Sequence, residues 1–191
     1  MADIFDAELD PGKLDVIAGW LPRQDWASGV DLETAPLEPV TAYRFDDPAG
    51  EVGVEVHLVR TGDRVFQVPL TYRGEPFDSA EDAFMSEMNH SVLGRRWVYD
   101  GLADPVFIDQ LVRTISESGR SAKQYLVDES GTKIDEITEV AVAVGTGPVV
   151  GATSFAVERE LDVDSPAQPD PGLLLGTWPG QDDPVLLARL V

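Results

Sequence analysis

Two alternating runs separated by a tight turn set the strongest limit on how this chain can fold. Val52, Val54, Val56 and Leu58 alternate with Glu51, Gly53, Glu55 and His57. Beyond Thr61-Gly62-Asp63, Phe66, Val68, Leu70 and Tyr72 alternate with Val65, Gln67, Pro69 and Thr71. A period of two on both sides of a glycine-containing turn predicts a β-hairpin. It also predicts one core face and one solvated polar face, with His57 among Glu55, Gln67 and Thr71 on the latter. Proline has no N–H for a ladder, so Pro69 predicts an edge strand or a bulge. Arg44 to Asp46 is expected to end the preceding strand.

Elsewhere the period shifts between helix and strand. Asp10 as N-cap and Pro11 at the first helical position, with Leu14, Ile17 and Leu21 at helical spacing, predict a helix over 11–21. Pro22 stops it. Asp104-Pro105 repeats the signal, and Phe107, Leu111 and Ile115 predict a second helix over 105–117, ended by Gly119. A short helix is expected over 79–88, capped by Ser79, and one strand from His90 to Tyr99. Residues 30–39 and Asp162 to Pro171 read as loops. Strand-like runs follow at 123–128, 138–144, 152–160, 173–178 and 185–190. There is no repeat and no regular βαβ alternation. The expected class is α+β with a mainly antiparallel sheet and two or three helices. The expected organisation is one unit over 1–118 and a strand-rich extension over 119–191 packed on the same core.

Composition narrows the function classes. The 191 residues hold 35 carboxylates against 14 cations, a formal charge of −21. Such a surface repels phosphate backbones and anionic lipids, so neither nucleic acid nor a membrane is expected as a partner. No apolar run approaches the ~20 residues of a membrane span. The acidic start Met1-Ala2-Asp3-Ile4-Phe5-Asp6 lacks a signal-peptide pattern, and a cytoplasmic location is expected. The absence of cysteine removes disulfides and thiolate metal sites.

The chemistry-bearing motifs are sparse. Only His57 and His90 occur, without HExxH spacing, so neither a metal nor another cofactor is expected. Gly145-Thr146-Gly147 lacks the Lys-Ser/Thr of a phosphate loop and reads as a turn. No GxSxG elbow is present. Carboxylates are too abundant for any pair to stand out, and the chain is too short for a (β/α)₈ glycosidase barrel of about 250 residues. One stretch is unusual: His90-Ser91-Val92-Leu93-Gly94-Arg95-Arg96-Trp97-Val98-Tyr99-Asp100 is basic and aromatic in an acidic chain. Strand alternation puts Arg95, Trp97 and Tyr99 on one face, where a guanidinium beside aromatic rings could hold an anion or a sugar. With Asp100, His57 and Gln67 they form the candidate ligand-binding set. The competing reading is an Arg–carboxylate pair over core aromatics. Trp20, Leu21, Pro22 and Trp26 read as a helix docking onto the sheet.

Three stretches in order resemble the N-terminal cap domain of actinobacterial maltokinases. They are Trp20-Leu21-Pro22-Arg23-Gln24-Asp25-Trp26, Phe66-Gln67-Val68-Pro69-Leu70, and Tyr99-Asp100-Gly101-Leu102-Ala103-Asp104-Pro105 leading into a helix. Phe45 to Gly53 and His90 to Asp100 look more like stand-alone actinobacterial relatives of that cap, some labelled glucan-branching proteins. The resemblance spans roughly residues 14–117. It implies a curved, somewhat cystatin-like antiparallel sheet packed with helices. In the kinases this cap sits on the amino lobe of a phosphotransferase acting on maltose, and it brings no established catalytic residue. After Trp26 the family often has an aromatic, a glycine and a basic residue, where this chain has Ala27-Ser28-Gly29-Val30. Residues 139–161 correspond loosely to kinase amino-lobe strands, yet Phe155-Ala156-Val157-Glu158-Arg159 lacks the ATP-anchoring lysine. No HxDxxxxN or DFG-like motif occurs in the chain.

The resemblance implies a non-catalytic cap-like binding or accessory module. Its partners are expected to be a sugar kinase, another protein of α-glucan, trehalose or amino-sugar metabolism, or a carbohydrate. Two alternatives stay open: a small enzyme acting on a carbohydrate or sugar phosphate at the sheet face, and an assembly protein that self-associates.

Overall fold

The hairpin is the spine of the molecule. The structure, a computed structural model, describes residues 2–128 and 131–191. In it β4 (Gly53–Thr61) pairs antiparallel with β5 (Arg64–Arg73), from Gly53 opposite Tyr72 to Thr61 opposite Arg64. Gly62 and Asp63 form the two-residue turn, and Gly62 takes φ 58°, as the first central residue of such a hairpin requires.

The register corrects the expected solvated face. Residues opposite each other share a face. His57 faces Val68, while Gln67 lies opposite Leu58 and Thr71 opposite Val54, on the other side of the sheet. Both sides are covered: Glu55, Gln67 and Thr71 are all buried. On one face, Val54, Val56, Leu58 and Val65 pack with Phe107, Leu111, Ile115, Leu174 and Leu187. On the other, Val59, Phe66, Val68 and Leu70 pack with Val16, Ile17, Trp20, Leu21 and Met88. Burying each such side chain contributes about 1.5–3 kcal/mol.

The other elements assemble around this pair. β3 (Glu38–Phe45) flanks β4. On the far side of β5 lie β7 (Gly94–Asp100), β6 (Phe84–His90) and β2 (Leu9–Asp10), and these strands make one curled sheet in the order β2-β6-β7-β5-β4-β3. Helix α1 (Lys13–Trp20) covers one face, and α2 (Pro105–Ser116) covers the other. A second sheet, β10-β13-β14-β11, packs on the α2 side through Val142–Gly145, Leu173–Trp178, Gln181–Leu190 and Phe155–Val157. A third, of β1 (Ala2–Phe5), β8 (Gln124–Val127) and β9 (Lys133–Ile137), pairs β1 parallel to β8. The class is α+β with mainly antiparallel sheets, as expected.

Pro69 is neither on an edge strand nor at a bulge. Beyond β5, the short β12 (Glu160–Leu161) pairs at Phe66 and Val65, the Gln67 N–H donates to the Arg159 carbonyl, and β7 pairs only from Leu70 onward. Pro69 sits in the gap between these two partners, where the position it lacks an N–H for has no ladder to join.

Three expected boundaries move. Asp10 belongs to β2, opposite Asn89, and the α1 N-cap is Gly12, whose N–H donates to the Asp15 carboxylate at 3.1 Å. The helix expected over 79–88 is a short 3₁₀ segment, Asp78–Ala83, followed by β6. A bulge between Phe84 and Ser86 turns Met85 and Met88 to the α1 face, and that burial outweighs helix propensity. The single strand expected from His90 to Tyr99 is instead a hairpin. The His90 Nδ1 accepts from the N–H groups of Val92 and Leu93, and Gly94 supplies φ 75°. The helix at 105–117 stands as expected, as does its Asp104 cap, whose side chain accepts from the Val106 N–H.

Gly145 is more than a turn residue. It ends β10, and a Cβ there would lie 2.0 Å from the Thr114 carbonyl oxygen and 2.7 Å from the Ile115 Cα. Both are backbone atoms of α2, so no side chain can yield. Gly145→Ala is expected to destabilise the chain by at least the usual overpacking cost of about 1–3 kcal/mol, read by urea unfolding. An unchanged midpoint would mean that α2 shifts freely.

Candidate functional site

A cleft of about 400 Å³ opens beside the start of α1, at the Gly53–Val54 end of the main sheet. That size suits a small molecule. Its walls come from β1, the start of α1, the end of β3, the 46–53 loop, Tyr72, and the β6–β7 hairpin. Ile4, Leu9, Val52, Val54 and Met88 give it apolar surface, Lys13, Arg44 and Arg96 give it cations, His90 an imidazole, and Asp3, Asp46, Asp47 and Glu51 carboxylates.

One carboxylate organises the cations at its base. The Oε2 of Glu55 lies 2.7 Å from the Lys13 Nζ, 3.0 Å from an Arg44 Nη and 3.2 Å from the His57 Nε2, and the Tyr72 hydroxyl donates to it at 3.1 Å. Burial alone would raise the Glu55 pKa. Arg44, His57 and Lys13 outweigh that effect and hold it well below the usual carboxylate range. Tyr72 is pushed the other way, chiefly by burial and then by the Glu55 charge. Asp47, on the cleft's loop, accepts from the N–H groups of Ala49, Glu51 and Val52 and so fixes the loop's path.

The six residues singled out from sequence do not converge. Arg95 is exposed, 3.6 Å from Glu87, with its guanidinium 5.9 Å from the Trp97 ring. The buried Tyr99 hydroxyl accepts from the Phe77 N–H at 2.8 Å. Gln67 lies in the core: its Oε1 accepts from the Tyr43 hydroxyl at 2.8 Å, and its Nε2 donates to the Glu158 and Leu187 carbonyls at 2.9 Å. Asp100 pairs with Arg159, whose guanidinium lies 5.7 Å from the Trp20 ring and 4.9 Å from Trp26. His57 lies beside Glu55, and neither residue lines the cleft itself.

Arg96 carries the signal that sequence reasoning passed over. Strand alternation already placed it opposite Arg95, but the face it points to depends on how β6 and β7 join the sheet. Lys13 and Arg44 were equally invisible, because only the packing of α1 and the register of β3 bring them to Glu55.

Among the described residues no group of three or more His, Cys, Asp and Glu is placed to hold a metal ion, and no helix is long and apolar enough to cross a membrane. Residues 20–104 match the family model of the maltokinase N-terminal cap domain. No curated protein matches the chain. The matched stretch runs from Trp20 through β3–β7 to the Asp104 cap, so it contains most of the main sheet.

Proposed function

With residues 20–104 a relative of that cap domain, we propose that the chain is a non-catalytic accessory module. It works beside a sugar kinase or another protein of α-glucan, trehalose or amino-sugar metabolism, in the cytoplasm. The family match carries this reading. The contacts between the matched stretch and the later strands support it: Arg159 reaches Asp100 and the two tryptophans, Glu160 takes the Arg64 guanidinium in two hydrogen bonds of 2.8 Å, and Gln67 holds the Leu187 carbonyl. On this reading a cap-like unit over 1–118 packs with the strand-rich 119–191 segment on the same core.

The test is an assay of ATP-dependent phosphorylation of maltose, trehalose and glucosamine by the pure chain with magnesium. Background rates are expected for all three. Sustained turnover that follows the protein through purification would overturn the reading and make the chain an enzyme.

A further inference from the structure

Arg96 is half-buried in the wall of the cleft and, among the described residues, has no carboxylate within ion-pair distance and no side-chain hydrogen bond. The other half-buried arginines each have an acidic partner: Arg44 has Glu55, Arg64 has Glu160, Arg73 has Asp104, and Arg159 has Asp100. A chain with 35 carboxylates and 14 cations has acid to spare, so an arginine left without a partner in a cavity is conspicuous. Lys13 and Arg44 line the same cleft and share the single Glu55 carboxylate. Three cations, Lys13, Arg44 and Arg96, thus gather near His90, while Asp3, Asp46, Asp47 and Glu51 make the rest of the charged lining acidic.

His90 registers those cations. Its pKa is pushed down by burial and then by the charges of Arg96, Lys13 and Arg44. Its Nδ1 accepts from the Val92 and Leu93 N–H groups, so the neutral ring carries its proton on Nε2 and keeps a donor there.

We propose that this cleft binds a small phosphate monoester, its phosphate held by Arg96 with Lys13 and Arg44. A dianion matches three neighbouring cations better than a single carboxylate does, and a guanidinium fork matches phosphate geometry. Asp3, Asp46, Asp47 and Glu51 also line the cleft. Carboxylates accept from hydroxyls, so the body of the ligand is hydroxylated. The cavity, of about 400 Å³, admits a molecule of monosaccharide size. This assignment rests on the cleft alone and holds or fails independently of the accessory role.

The experiment is calorimetric titration of the full chain at low salt with inorganic phosphate, glycerol 3-phosphate, glucose 6-phosphate, glucuronate and glucose. Wild type is expected to bind both phosphate esters, glucose 6-phosphate more tightly than inorganic phosphate, and glucose not at all. Arg96→Gln should weaken the esters about ten-fold or more, the loss of a charged hydrogen bond. It should unfold at the wild-type temperature, because Arg96 holds no partner in the fold. Arg23→Gln removes an exposed charge outside the cleft and should bind as wild type does. Binding of no phosphate compound, equal affinity in Arg96→Gln, or an equal loss in Arg23→Gln would overturn the site. Glucuronate binding as tightly as glucose 6-phosphate would overturn the phosphate assignment.

Discussion

Glu55→Gln is expected to destabilise the fold by about 3–5 kcal/mol, the usual result of removing one member of a buried charge cluster. Glutamine keeps the shape but loses the charge that Lys13, Arg44 and His57 surround, and the Tyr72 hydroxyl loses an ionised acceptor. Two cations would then face each other over a neutral amide, with Arg44 only 15% exposed. For a domain of this size, each kcal/mol moves the thermal midpoint by about 2–4 °C. The pH dependence has a definite sign. The folded-state pKa of Glu55 lies well below its ordinary 4.5, so its stabilisation is complete above that pH and is lost as the pH falls toward the folded value. The gap between wild type and Glu55→Gln should therefore be constant near neutrality and narrow below about pH 4.5. Urea unfolding across that range checks both statements. A loss under ~1 kcal/mol at pH 7 would place the cluster among ordinary surface pairs.

The sequence carried the hairpin, both helices and the fold class because each depends on local periodicity. It failed where packing on both sides decides. Glu51 to Leu58 alternates cleanly and suggests a wet face, yet its partner run Val65-Phe66-Gln67-Val68-Pro69-Leu70 is nearly continuous in apolar residues. Such a run is the mark of a strand buried on both sides, and giving it more weight would have placed Gln67 in the core. The choice of Arg95 over Arg96 had a different origin. Aromatic neighbours drew attention to one face of β7, but Trp97 and Tyr99 serve packing and a backbone hydrogen bond. The cleft itself is built from segments far apart in sequence: β1, the start of α1, the end of β3 and the β6–β7 hairpin. No spacing rule links Lys13 to Arg44 or Arg96. In a chain of charge −21 the useful signal is the rare cation without a partner, and only the fold reveals it.

Asp104→Ala is expected to cost about 3–5 kcal/mol, and comparison with Asp104→Asn should divide that loss into two parts. Asp104 is fully buried. Its two oxygens accept from the Arg73 Nε and Nη2, both at 2.7 Å, and Oδ1 also accepts from the Val106 N–H at 3.0 Å. One side chain thus starts α2 and ties it to the end of β5. Arg73 is braced further by the Phe77 ring, 4.1 Å from its guanidinium, so it is poorly free to swing into water once its partner is gone. Asparagine retains an oxygen for the Val106 N–H and for one Arg73 nitrogen; alanine retains neither. Alanine should therefore lose at least about 1 kcal/mol more than asparagine, the worth of an N-cap together with the one Arg73 bond that asparagine keeps. The remainder, common to both variants, measures the charge pairing. If alanine and asparagine unfold at the same urea concentration, the cap adds nothing and α2 is held by Phe107, Leu111 and Ile115 alone. If asparagine matches wild type, the buried pair offers no net stability over a neutral hydrogen bond, and its part in the fold is to set the angle at which α2 leaves the sheet.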